Sequence, residues 1–213
     1  MLQTKKDLKL VEVHGQKLTV TSLVVSELFG RPHHMVLKSL DKLKDKVDLN
    51  FIFYTDKMNR EQRMAVLTER QFLIAMPFIG GTKSFDGQVK LVDEFLRLQK
   101  LLSDPDRKTA LIEKRKAGSA MCDSLQFVRE LLGKETDAIK YGNEYKFCWR
   151  ALTGVWDRQD ESLLDAYDLR LLEKIRNHNT VLIALHPAQK DRKQLLDDFV
   201  SSYRIKHPRL QLI

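Results

Sequence analysis

The stretch Thr19 to Leu43, TVTSLVVSELFGRPHHMVLKSLDKL, constrains this chain more than any other, because two short amphipathic helical patterns meet there at a Gly-Arg-Pro turn. Ser22 or Thr21 is placed to cap the first helix. Leu23, Val24, Leu28 and Phe29 recur at helical spacing up to Gly30, a residue that ends a helix readily in the left-handed conformation. Pro32 suits the first turn of the next helix, where its missing amide has no intrahelical partner to lose. Val36, Leu37, Leu40 and Leu43 then form an apolar stripe, with His34, Lys38 and Lys42 on another side. A helix-turn-helix of this form packs its second helix by the stripe and turns donors and positive charge toward a DNA groove. The competing reading is an ordinary antiparallel helix pair inside a core, which needs the same amphipathicity. Ser26 supplies the small residue expected where two helices cross.

The charge distribution bears on that choice. Residues 1–116 carry 22 Lys and Arg against 15 Asp and Glu, whereas residues 117–213 carry 15 against 14, so nearly all of the net charge of +8 lies in the half with the helix pair. Attraction to phosphate dominates nonspecific DNA binding, and a solvated lysine-rich face is the alternative. With 213 residues, 43% of them hydrophobic and 31% charged, the chain can build one or two domains with real cores. Lys5, Lys6, Asp7 and Lys9 precede no long apolar run, and no apolar stretch of membrane-spanning length occurs, so a cytoplasmic protein without membrane contact is expected. Cys122 and Cys148 lack metal-ligand spacing and read as reduced structural thiols; no metal or cofactor is expected.

Leu10 to Val13 and Lys17 to Val20 read as a small hairpin turning through His14 and Gly15. A second strand pair, Phe51 to Thr55 and Arg63 to Leu67, follows the helix pair. Its polar tip carries Lys57, Asn59 and Arg60. A hairpin directly after a recognition helix is a wing, and Lys57, Arg60 and Arg63 are placed to touch phosphates and set register without reading bases. An exposed hairpin with no such role is the alternative. Thr68 and Gln71 form a capping-box pattern for a helix to Phe78, whose Phe72, Leu73, Ala75 and Met76 face the core.

Two blocks carry a family resemblance. They are SLVVSELFGRPHHMVLKSL, with Gly30, His33, Val36 and Leu40, and LTERQFLIAMPF followed by Gly80 or Gly81, Lys83, Lys90 and Phe95. Together, from about Leu18 to Leu102, the chain resembles the N-terminal domain of the Rha family of phage regulatory proteins. The resemblance implies a helix-turn-helix-like start, a strand pair and a long terminal helix. It also implies a temperate-phage or prophage protein that acts on gene expression or host factors in the bacterial cytoplasm, not a metabolic enzyme.

Gly80-Gly81-Thr82-Lys83-Ser84 has the composition of a phosphate-binding loop but not its spacing, since Thr82 stands where a glycine must precede the lysine. It reads as a turn between helices. Phe85 to Leu102 predicts a helix with apolar residues around about half its circumference, more than one packing partner needs. Phe85, Val89, Val92 and Leu96 keep alternating steps of four and three, and with Phe95 they are the expected dimerisation face. Contact with the C-terminal part of the same chain is the competing explanation.

Residues 103–118 combine Asp104-Pro105-Asp106 with Lys114-Arg115-Lys116 and read as a linker, with a continued helix as an alternative for part of it, so domains are expected at 1–102 and 119–213. Beyond it, Cys122 to Leu132, Glu144 to Leu152, Leu163 to Ile175 and Lys190 to Ser202 have helical patterns. Arg176-Asn177-His178 and His186 match no catalytic motif, and His178 reads as a helix cap; Tyr145, Phe147, Trp149 and Trp156 read as core. No catalytic residue is assigned.

The fold expected is α+β, mainly helical: a winged-helix-like N-terminal module with two small hairpins, a long connecting helix and a C-terminal helical domain. The function expected is regulatory binding of double-stranded DNA, as a homodimer. His33, His34, Lys38, Ser39 and Lys42 would lie at or near the major groove, with Arg31, Lys57, Arg60 and Arg63 on phosphates. The alternative is a protein-interaction module, an antirepressor or an inhibitor of a host defence or replication factor. Its support is a recognition helix without arginine, where only Lys38 and Lys42 flank Asp41.

Overall fold

The computed structural model describes residues 9–15, 17–56, 58–156 and 161–209. The chain is α+β, mainly helical, and divides into two compact units between Lys100 and Leu101.

The first unit runs β1 (Glu12–His14), β2 (Lys17–Thr21), α1 (Ser22–Phe29), α2 (His33–Asp41), β3 (Asn50–Thr55), β4 (Glu61–Thr68), α3 (Glu69–Ala75), a 3-10 turn (Met76–Phe78) and α4 (Ser84–Ser103). The two expected hairpins are present but not separate. β2 also pairs antiparallel with β4, Val20 opposite Leu67, giving one four-stranded sheet of order β1-β2-β4-β3. That pairing joins strands more than forty residues apart, so no local pattern announces it.

Local chemistry sets the helix ends. Thr21 caps α1 by accepting from the Val24 amide, and Gly30 closes it at φ 60° and ψ 39°, a conformation a Cβ would disfavour. Thr68 and Gln71 form the expected capping box at α3, each side chain bonded to the other's backbone N–H. Pro32 is the residue before α2 rather than its first residue. Fixed in φ, it sets the angle at which the second helix leaves the turn.

Three rings tie the unit together. Phe29 of α1 meets Phe72 of α3 edge-on at 6.3 Å, and Phe72 meets Phe95 of α4 at 5.9 Å. All three are buried, each stabilising by about 1.5–3 kcal/mol relative to exposure. The Gly80-Gly81 loop runs across the end of α1, where the Lys83 amide donates to the Phe29 carbonyl at 3.1 Å. This contact has no room for a side chain: a Cβ on Gly81 would lie 2.2 Å from that carbonyl oxygen.

The second unit is helical: α5 (Pro105–Leu131), α6 (Ala138–Thr153), a 3-10 turn (Glu161–Leu163), α7 (Ala166–Leu185) and α8 (Gln189–Lys206). Residues 105–118, within the expected linker, form the first half of α5, the continued helix that was the alternative there. Asp104 caps its start, and Ala110, Lys114, Ala117 and Gly118 are buried at helical spacing. The charged run misleads because the Lys114 ammonium pairs with Glu161 and the Glu161 carboxylate also takes Arg176 Nη2 at 2.9 Å, partners distant in sequence.

A second buried network links α6, α7 and α8. Arg192, wholly buried, donates to both oxygens of Glu144 at 2.7 and 3.0 Å, and Asn179 and Gln189 donate to the same carboxylate at 3.0 and 2.9 Å. Two readings change here. His178 lies within α7, not at its end, and stacks on Phe199 at 4.3 Å. Trp149 and Phe147 are core, but Trp156 is about half exposed. Cys148 is buried against Met121, which pushes its thiol up to about 12.

Candidate nucleic-acid interface

α2 is anchored by Val36 and Leu40, both completely buried, with Leu43 buried just past its end. The opposite side carries His34, Lys38 and Lys42, spaced four apart and all exposed. Four-residue spacing stacks their side chains along one ridge. Among the described residues, no ion pair engages Lys38 or Lys42. The ridge therefore presents two ammonium groups and an imidazole to solvent from a helix whose rear is fixed in the core.

The other expected contacts have internal work. Ser39 is only 8% exposed, so it belongs to the packed side of α2 and leaves the contact set. His33, one residue before His34, turns inward: its Nε2 and the Ser22 hydroxyl share a hydrogen bond at 2.8 Å, and the same hydroxyl accepts from the Ala65 amide at 2.9 Å. This joins α1, α2 and β4 through one hydroxyl. Burial, with His34 adding to it, holds the His33 ring below the ordinary histidine pKa, which favours the neutral ring. Arg31 Nη1 donates to the Gly80 carbonyl at 3.1 Å, closing the loop over the helix pair.

The wing is also less basic than its sequence suggests. Arg60 donates through Nε and Nη2 to Asp56 Oδ2 at 3.0 and 2.9 Å, and Asp56 Oδ1 takes the amides of Met58 and Arg60. The Arg60 amide, its guanidinium and the Met58 amide hold the Asp56 carboxyl below the usual range. Arg63 Nη2 lies 2.7 Å from Asp41 Oδ2, and Lys44 Nζ 2.8 Å from the other oxygen. Lys57 falls outside the described residues.

Asp41 thus pins the end of α2 to the wing. Its burial opposes ionisation, but the Lys44 and Arg63 contacts prevail and keep the carboxyl below its ordinary value. The same two cations sit over the ring of Phe51 in β3, at 5.0 and 4.6 Å from its centre. Phe53, two residues on, is 65% exposed. Reasoning from charge missed Phe51, Phe53, Asp41 and Lys44. The available signal was the NFIFYT alternation, which puts both phenylalanines on one face of β3.

The expected dimerisation residues separate. Phe85, Val89 and Leu96 are exposed, at 75%, 44% and 55%, and Val92 is half-buried on the same side of α4. Phe95 points the other way, into the core against Phe72, and is removed from that face. Its numerical proximity to Leu96 places it about 100° around the helix.

Among the described residues there is no group of His, Cys, Asp or Glu able to hold a metal ion, and no helix long and apolar enough to cross a membrane. Residues 20–100, from within β2 to within α4, match the family described as phage regulatory protein Rha. No curated protein and no solved structure matches the chain.

Proposed function

We propose that this chain, whose first unit carries the match to a phage regulatory family, performs its regulatory role by binding double-stranded DNA through α2. The observation that carries the reading is the exposed ridge of His34, Lys38 and Lys42 on a helix held from behind by Val36 and Leu40. A major groove about 12 Å wide admits an α-helix, and the β3–β4 hairpin stands beside α2 through the Asp41–Arg63 pair. His33, Arg31, Arg60 and Arg63 then act by holding the reading helix and wing in place, not by supplying free charge.

The functional species is a homodimer through the outward side of α4. Phe85, Val89, Val92 and Leu96 keep coiled-coil steps and are too apolar and too exposed to favour an isolated copy. A twofold arrangement presents two copies of α2 to a palindromic site. Leu96→Glu is expected to yield monomers by analytical ultracentrifugation.

Retention of random DNA fragments across a salt series, followed by sequencing of the bound pool, tests the reading. The expected result is an enriched site with retention that falls steeply with salt. Lys38→Ala and Lys42→Ala each flatten the salt dependence by about one unit, and His34→Ala changes the enriched sequence. Failure to retain any fragment at low salt overturns DNA binding. The internal pairing of the wing arginines then favours the protein-interaction role, as an antirepressor or inhibitor of a host factor, which does not need free cations there.

A further inference from the structure

We infer that Phe53 is a wedge that enters a base step of duplex DNA beside the α2 ridge; the inference rests on the DNA-binding reading above and adds a contact made by the wing. Phe53 is opposite Arg63 in the β3–β4 register, so the two side chains share a face of the sheet. Arg63 bonds Asp41 of α2, which identifies that face as the one turned toward the α2 end. The Phe53 ring is 65% exposed in mid-strand, with Arg63 opposite it and with Lys44 and Arg63 gathered over Phe51 two residues away.

That environment selects the occupant. Arg63 and Lys44 share the single carboxylate of Asp41, so the group keeps one net positive charge, which a second copy of the chain would repeat and a polyanion complements. Single-strand platforms stack successive bases on several open aromatics. Here Phe51 is already covered by Arg63 and Lys44, leaving Phe53 as the open ring of β3 on this face. One open apolar ring beside a group of net positive charge is the arrangement of side chains that partly unstack a duplex step, usually from the minor groove. β3 is the edge of the sheet, so no neighbouring strand among the described residues shields it.

The full-length chain and its Phe53→Ala, Phe53→Leu and Phe53→Trp variants are titrated onto a duplex carrying 2-aminopurine and onto its separate strands, at several salt concentrations. Phe53→Ala is expected to weaken duplex binding about tenfold, within the range for losing one base–aromatic contact, with the salt slope unchanged. Wild-type protein raises the 2-aminopurine emission as the step unstacks; Phe53→Ala does not, and Phe53→Leu retains part of the rise. Phe53→Trp emission is quenched on the duplex. Unchanged duplex affinity and emission in Phe53→Ala overturn the wedge, as does a larger loss on single strands than on duplex, or a change of oligomeric state without a change in DNA affinity. Wild-type protein that binds no duplex defeats the DNA reading itself, a result distinguishable from a bound duplex that is never unstacked.

Discussion

The two units use charge in opposite ways. In the first, the lysines of the α2 ridge face water without an ion-pair partner among the described residues, and the arginines around them pair at the surface with Asp56 and Asp41. In the second, charge is taken inside. Arg192 is wholly buried on Glu144, and Lys114 and Arg176, both nearly buried, share Glu161. By unit the net charges are close, 17 Lys and Arg against 12 Asp and Glu in residues 1–100 and 20 against 17 in residues 101–213, so the units differ less in how much charge they carry than in where it sits. A residue count registers charge alone; whether that charge is available depends on burial and on the partner.

The comparison breaks most visibly at Glu144. Replacing it with alanine strands the Arg192 guanidinium without its carboxylate, and the expected loss is about 3–5 kcal/mol from the second unit. Both tryptophans lie in that unit, so urea unfolding followed by tryptophan fluorescence reads it selectively. Truncating Lys42 in the first unit is expected to leave the same transition in place. A Glu144→Ala chain as stable as wild type would mean the network is dispensable.

Gly81→Ala probes the first unit by packing rather than charge. The added Cβ has no space against the Phe29 carbonyl, and the expected cost is about 1–3 kcal/mol, seen as faster hydrogen exchange in α1 and α2 with the tryptophan-detected transition unmoved.

The smallest effect sharpens the comparison through pH. His33 in the first unit and His178 in the second are both held below the ordinary histidine value of 6.5, His33 by burial and then His34, His178 by burial. A lowered folded-state pKa means the unfolded chain binds the proton first. Each histidine therefore contributes stability that is complete above 6.5 and is lost as pH falls toward its folded value. His33 also begins α2, where the helix dipole opposes a positive ring. His33→Gln should lessen the acid sensitivity of exchange in α2, and His178→Gln that of the tryptophan-detected transition. Crossed effects would show that the units do not unfold separately.

Much of the first unit was legible in residue order because its signals are local. Gly30 ends a helix by its backbone freedom, Thr68 and Gln71 cap one another three residues apart, and Val36 and Leu40 declare a buried stripe by their spacing. The candidate site was legible in part. His34, Lys38 and Lys42 follow from helical periodicity, but the engagement of His33, Arg31 and Arg63 depends on Ser22, Gly80 and Asp41, which are 11, 49 and 22 residues away. The same reason explains why residues 103–118 read first as a linker, since Lys114 looks solvated until Glu161 is brought to it.

By itself the sequence determined where helices start and stop, which strand faces are apolar and which half carries the excess positive charge, because each depends on neighbours within a turn or two. The tertiary structure alone decided which charges remain in water, that two hairpins join as one sheet, that Phe95 turns inward while Leu96 stays out, and that Phe53 is left uncovered. These outcomes depend on contacts closed over tens of residues, and a side chain's burial and partner come into being only when those contacts form.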